Sequence, residues 1–113
     1  MDERLPAHLE VSGLIRAVEA AGGFATVLAK GERDAGTILI ICCERDTNLR
    51  LYERMPLLDG TRQWTLVKTQ SDENPQELTE YWQRRKRQDG DLWVVELDIA
   101  NGERFIGLAG TAC

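Results

Sequence analysis

The sequence predicts an α+β fold, in which a mainly antiparallel sheet of about five or six strands carries two helices packed on one face. Three patterns support this prediction. Apolar residues recur at helical spacing near the start of the chain, an almost continuous apolar run occupies residues 37–43, and a helix-start signal at Asn74 separates two groups of strand-like segments. Elements in this order build a layer of helices against a sheet.

The first helix is predicted by a single apolar stripe. Its members lie three or four positions apart and share one side of a helix: Val11, Leu14, Ile15, Val18 and Ala21. Ser12 is expected to cap the start of this helix. The pair Gly22-Gly23 is expected to end it, because glycine accepts left-handed backbone angles.

Four strand-like segments follow the first helix. Residues 24–30 form the first, and the turn at 31–36 closes it with glycines that permit positive φ. The apolar run at 37–43 is expected to be a central strand covered on both faces. Apolar and polar residues alternate in 49–55, as in a strand near an edge with one wet face, and a short strand at 64–67 comes next.

A capping signature predicts the second helix. Asn74 can cap it, Pro75 fits its first turn, and Glu77 can complete a reciprocal capping box. The inward stripe consists of Leu78, Tyr81 and Trp82.

The last strand, residues 92–99, aligns four apolar side chains on one face: Trp93, Val95, Leu97 and Ile99. Asn101-Gly102 is expected to turn it into a hairpin with residues 104–106. Neighbours joined by short turns should be antiparallel. The connection 68–91 is long enough for a right-handed crossover, so the strands of Trp64 and Trp93 could run parallel.

Length and charge restrict the class of protein. The 113 residues are expected to form one domain, 1–113, with flexible ends at 1–7 and 109–113. A net charge of −5 disfavours general binding to nucleic acids or anionic membranes. The longest apolar run, 38–43, is far below the ~18 residues that cross a bilayer. The acidic N-terminus does not resemble a signal peptide, which favours a cytoplasmic protein.

The sequence gives little support for a catalytic nucleophile or for a metal site. The single histidine, His8, lies in the N-terminal segment, which argues against a Ser-His-Asp or Cys-His arrangement. Cys42 and Cys43 are neighbours in a strand and point to opposite faces, so they would not chelate one ion, while Cys113 ends the chain. We expect buried free thiols, no metal site and no cofactor.

Carboxylates form one candidate acidic site. Glu96 and Asp98 share a strand face, and Asp34 and Asp91 could join them if the topology brings the strand ends together. Arg16 could then stabilise charge in a carboxylate- or metal-dependent enzyme acting on a small substrate. The favoured interpretation is that Glu96 and Asp98 mark a solvent-facing strand end. The third interpretation is that these carboxylates form an ion pair with Arg16 or Arg104.

The second candidate is a basic segment, Arg84-Arg85-Lys86-Arg87. Without it the chain keeps ten basic against nineteen acidic residues, a net charge of −9. Cations here complement the dipole at the helix C-terminus, which is the favoured interpretation. They could instead bind an acidic partner or contact nucleic acid weakly. Three tryptophans on apolar stripes are expected in the core: Trp64, Trp82 and Trp93.

The order and spacing of four segments resemble a family of small, mainly alphaproteobacterial proteins catalogued as domain of unknown function 1491. The segments are Gly13-Leu14-Ile15-Arg16, the helix end at 19–23, the turn at 30–36 and the strand start at 91–96. The likeness spans about residues 5–106. The chain departs from the family where it has Gly31-Glu32 instead of the frequent Gly-Asp, and where it lacks the common aromatic residue near Glu10. The resemblance implies a cytoplasmic bacterial protein and no established activity, so no catalytic residues are transferred.

These observations favour a non-catalytic protein-interaction or binding module with an unidentified protein partner. A carboxylate- or metal-dependent enzyme is the first alternative, and weak nucleic-acid contact through the basic segment is the second. Nucleic acid and membrane are not expected as partners. A homodimer could form through a strand edge, for which residues 49–55 are the candidate.

Overall fold

The computed structural model describes residues 5–108, apart from the side chain of Pro56. Residues 1–4 and 109–113, which make up most of the ends expected to be flexible and include Cys113, lie outside the described residues. In chain order the elements are α1 (Ala7–Ala20), β1 (Phe24–Ala29), β2 (Ile38–Glu44), β3 (Thr47–Pro56), β4 (Arg62–Thr69), α2 (Glu77–Gln88), β5 (Trp93–Asp98) and a 3-10 helix (Gly102–Ile106).

The strands form one mixed sheet in the order β1-β5-β2-β3-β4. Neighbours are antiparallel except β2 and β5, where Ile40 lies beside Val95 in parallel register. The predicted α+β class with a mainly antiparallel sheet is therefore confirmed. The strands of Trp64 and Trp93 do point the same way, but β2 and β3 separate them. β2 takes the place beside β5 because its apolar side chains on both faces require the middle of the sheet. Residues 49–55, expected near an edge and as the strand through which two copies could pair, lie in β3, which β2 and β4 flank, so that expectation is wrong.

The two helices lie on opposite faces of the sheet, which corrects the expectation that they share one. Val11 and Val18 of α1 pack in one cluster with Ile38 and Ile40, whereas Leu78 of α2 packs with the intervening residues of β2. The physical reason is the alternation of side chains along β2. A strand that is apolar at every position needs a covering layer on each side.

The starts of both helices differ from the predictions. α1 begins at Ala7, and Ser12 lies inside it, because the carbonyls of Arg33 and Asp34 accept the first helical N–H groups. α2 begins at Glu77 after Gln76, without a side-chain cap, so Asn74 contributes only its backbone carbonyl. These caps come from backbone groups rather than from the polar side chains that the sequence pattern singles out.

The predicted C-terminal hairpin is wrong. Asn101 adopts left-handed angles (φ 56°), and the chain then enters the 3-10 helix. Glu103 of this helix accepts hydrogen bonds from Arg50 and from the hydroxyl of Tyr52, while Ile106 is buried in the α1-side cluster. β5 is already paired with β1 on one side and β2 on the other, so a hairpin strand after it has no free partner, and these contacts hold the segment against the face of the sheet instead.

No helix among residues 5–108 is long and apolar enough to cross a bilayer.

Candidate functional site

The five residues of the predicted acidic site belong to separate parts of the fold. Asp34 lies in the loop before β2, where its carbonyl accepts the Ala7 N–H. Asp91, which precedes β5, contacts the same loop because its carbonyl accepts the Glu32 N–H. Glu96 lies five residues further along, a span of about 16 Å in an extended strand. It shares the α2-side face with Val94, whereas Arg16 is exposed on α1 across the sheet.

The far end of β5 holds a compact acidic group. Asp98 accepts the backbone N–H of Arg45 at 2.7 Å. The Cys43 thiol and the carboxylates of Asp46 and Asp98 lie within 4.8 Å of one another, and these are the residues in the described part of the chain that could hold a metal ion. Burial raises the pKa of Cys43 to about 12, so in the metal-free protein this thiol is protonated at neutral pH.

Glu96 lies beside this acidic group. Burial first, and then the charges of Asp46 and Asp98, raise the pKa of its carboxyl group. The arrangement concentrates negative charge at one end of the sheet, beside the Cys43 thiol.

Two of the four residues of the basic segment, Arg85 and Lys86, make contacts within the protein. Arg85 donates two hydrogen bonds to Glu53 of β3, at 2.7 and 3.0 Å, and the pair is half-buried. Lys86 donates to three backbone carbonyls, those of Lys30, Gly90 and Leu92. Arg84 and Arg87 remain exposed. Two of the four cations therefore attach α2 to the sheet, which leaves two for contacts with other molecules.

An apolar groove with a volume of about 420 Å³ lies on the α1 side of the sheet. Its floor is formed by Ile38 and Ile40 of β2, one wall is α1, and Trp64 and Phe105 line the remainder. Sequence reasoning assigned Trp64 to the core and Phe105 to a hairpin strand. Only the strand order and the 3-10 helix bring these two rings to one groove.

The rim of this α1 groove contains apolar residues that are exposed to solvent. Leu5 and Leu9 line it and are 61% and 48% exposed. Gly13 lies in the middle of α1 on the same wall, and a Cβ built on it would meet no atom within 4 Å. The sequence did contain a signal for this wall of the groove, because Leu9 and Gly13 lie four residues apart and therefore on the same side of the helix.

One end of the groove is polar. Arg54 donates to both carboxylate oxygens of Glu10, at 2.7 and 3.1 Å, and its guanidinium lies 4.7 Å from the centre of the Trp64 ring. Within residues 5–108 the Arg54 Nε is buried and makes no hydrogen bond. These contacts fix the Trp64 ring as a wall of the groove.

Comparison with known proteins assigns the family. The family model described as "Protein of unknown function (DUF1491)" matches residues 5–107. The chain belongs to the DUF1491 family. This membership confirms the resemblance found in the sequence, and the family's description names no activity.

Solved DUF1491 structures share the fold. A crystal structure of a DUF1491 protein from Caulobacter crescentus is 34% identical with a TM-score of 0.80, covering 92% of this chain and 96% of that one. An NMR structure of a Caulobacter DUF1491 protein is 33% identical (TM-score 0.78; 94% and 96% covered). A solution structure of an A. tumefaciens protein is 32% identical (0.73; 95% and 96%). Among curated proteins, none matches the chain.

Proposed function

We propose that this DUF1491 protein is a cytoplasmic, non-catalytic interaction module that binds an apolar helical segment of a partner protein in the α1 groove. The observation that carries the proposal is the apolar surface of the groove, which the exposed Leu5 and Leu9 and the half-buried Trp64 and Phe105 form above the buried Ile38 and Ile40. Contiguous exposed apolar surface of this kind marks interaction sites in folded proteins.

A macromolecular partner fits the groove better than a small molecule does. Small-molecule pockets enclose most of the surface of their ligand. Here Leu5 and Leu9 extend the apolar surface outward along α1, and both stay largely exposed. A ligand confined to the floor would leave these leucines in water, whereas a protein segment lying along α1 would cover them.

The occupant is expected to be a helix rather than a strand. The floor of the groove is the face of the sheet, so it presents side chains and no free backbone hydrogen-bonding groups. A segment that binds there must satisfy its own backbone N–H and C=O groups, which a helix does. Apolar residues at every third or fourth position of that helix would then meet Leu9, Trp64 and Phe105.

Gly13 supports close approach of a partner. A glycine inside a helix costs about 0.5–1 kcal/mol relative to alanine. Nothing within the described structure requires its small size, because the space around a Cβ at this position is open. An external helix that packs against α1 at this point provides a reason for the glycine.

The alternative functions have weaker geometric support. The acidic residues proposed for an enzyme are divided between the two ends of β5, with Arg16 across the sheet. In the basic segment, Arg85 and Lys86 are occupied by Glu53 and by backbone carbonyls. Only Arg84 and Arg87 would be available to a phosphate backbone or an acidic surface.

The proposal is tested by selecting peptides that bind the protein from a displayed library of helices. Each helix carries leucine, isoleucine or phenylalanine at every third or fourth position, so that these residues share one face. Gly13→Leu fills the groove from its wall. We expect it to weaken binding of the selected peptides at least about tenfold. Gly90→Leu is the matched control, since its Cβ also has open space and it lies outside the groove. Equal affinity for wild type and Gly13→Leu would contradict the proposal, as would selection of no apolar helix over scrambled polar peptides.

A further inference from the structure

Each aromatic wall of the α1 groove carries an arginine. Arg54 lies over Trp64 and donates to both carboxylate oxygens of Glu10, so its charge is paired within the protein. Arg104 lies over the other aromatic wall, Phe105, with its guanidinium carbon 4.6 Å from the centre of the ring. A helix that covers Phe105 therefore comes within reach of the Arg104 guanidinium.

Arg104 is exposed and forms no ion pair within the part of the chain that the structure describes. One of its terminal N–H groups donates to the Ala100 carbonyl at 3.1 Å, which together with the Phe105 ring sets the direction of the side chain. The neighbouring carboxylate, Glu103, is already bound by Arg50. The remaining N–H groups of Arg104 are therefore oriented in advance for an acceptor from another molecule.

We infer that the helix bound in the α1 groove carries a glutamate or aspartate beside its apolar face, and that this carboxylate pairs with Arg104. The inference rests on the proposed function and adds to it the charge of the partner. A guanidinium binds a carboxylate through parallel, charge-assisted hydrogen bonds, which are stronger than those to a neutral amide. Arg104 would therefore distinguish an acidic amphipathic helix from a neutral or basic one.

Local charge rather than the net charge of the chain decides this contact. The chain as a whole carries −5. Salt at physiological concentration screens exposed charges beyond about 8 Å, so distant carboxylates have little effect at the groove. Glu10 and Glu103, on this side of the sheet, are already paired with other arginines. The charge that a bound helix meets beside Phe105 is therefore the positive charge of Arg104.

The experiment measures the affinity of one selected peptide in forms that carry glutamate, glutamine or lysine at each position bordering its apolar face in turn. At one position the glutamate form is expected to bind wild type at least about tenfold more tightly than the lysine form. Arg104→Glu is expected to reverse this order at that position, and Arg104→Gln to remove it. Arg87→Glu makes the same charge change on α2, across the sheet, and is the matched control that should keep the wild-type order.

Reversal of the order identifies a direct contact, because a variant that only displaced Phe105 would weaken all three forms alike. Equal affinity of the glutamate and lysine forms at every position would overturn this inference and leave the proposed function standing. An equal loss for all forms in Arg104→Glu would do the same. If no apolar helical peptide bound wild type, the proposed function would fail, and this inference would fail with it.

Discussion

At the scale of single residues, Gly31 and Gly36 are required for close packing rather than for unusual backbone angles. Neither has a positive φ. A Cβ on either would collide with the backbone carbonyl of Asp91 and approach the Trp93 ring. The Trp93 indole N–H in turn donates to the Glu32 carbonyl at 2.7 Å, which holds this loop on the start of β5.

Gly31→Ala is therefore expected to lower the free energy of unfolding by more than about 2 kcal/mol, because backbone must move to admit the methyl group. Urea denaturation measures this change. Gly90→Ala is the control and should change stability by less than about 0.5 kcal/mol, since its Cβ meets open space. A Gly31→Ala protein as stable as the control would contradict the packing explanation.

Gly13 should behave in the opposite way. Gly13→Ala is expected to raise the free energy of unfolding by about 0.5–1 kcal/mol, because alanine favours the helix and has room. The same denaturation experiment checks it. A loss of stability would mean that this position is packed within the protein and would remove one argument for the groove.

Glu96 provides a pH dependence with a defined sign. Because the pKa of its carboxyl group is raised on folding, the folded state holds this proton more tightly than the unfolded state. The free energy of unfolding therefore falls as the pH rises from the ordinary glutamate value, 4.5, through the raised one. Glu96→Gln is expected to melt at a higher temperature than wild type at pH 7 and at the same temperature below pH 4.

At the scale of elements, α2 is attached to the sheet by the side chains that looked most like a binding patch. Arg85→Ala removes two hydrogen bonds and leaves the half-buried Glu53 carboxylate without its partner. We expect a loss of about 1–3 kcal/mol in stability. Arg87→Ala removes an equal charge from the same segment and should cost less than about 0.5 kcal/mol. Equal effects of the two variants in urea denaturation would mean that the segment affects the free energy of unfolding only through its net charge.

The elements were predictable where the sequence pattern is local. β2 follows from its continuous apolar run, and the apolar face of β5 follows from the alternation of Trp93, Val95 and Leu97. The start of α1 was not predictable from local sequence, because the N–H groups of Ala7 and His8 donate to the carbonyls of Asp34 and Arg33, which lie far along the chain. The hairpin at Asn101-Gly102 failed for a similar reason, since Arg50 and Tyr52 hold Glu103 against the sheet.

The candidate groove lay beyond sequence reasoning for topological reasons. Trp64 and Phe105 are distant in the chain, and they line one surface only because β4 occupies an edge and the 3-10 helix folds onto the α1 side. The acidic candidates show the converse. Asp91 and Glu96 are close in sequence, yet the extended backbone between them holds them about 16 Å apart.

At the scale of the whole molecule, the α1 groove and the basic segment lie on opposite faces of the sheet, because α1 and α2 cover opposite faces. A partner helix in the groove therefore leaves the exposed Arg84 and Arg87 untouched. We expect the double variant Arg84→Ala/Arg87→Ala to bind the selected peptides as wild type does, which the same affinity measurement checks.

The central claim, that the α1 groove binds an apolar helix, is tested most directly by backbone amide NMR of the labelled chain during titration with a selected helical peptide. The claim predicts that the largest shift changes fall on Leu9, Gly13, Trp64 and Phe105, that α2 is unaffected, and that Gly13→Leu abolishes the changes. Shift changes confined to α2 or the basic segment, or an unaltered response in Gly13→Leu, would contradict it.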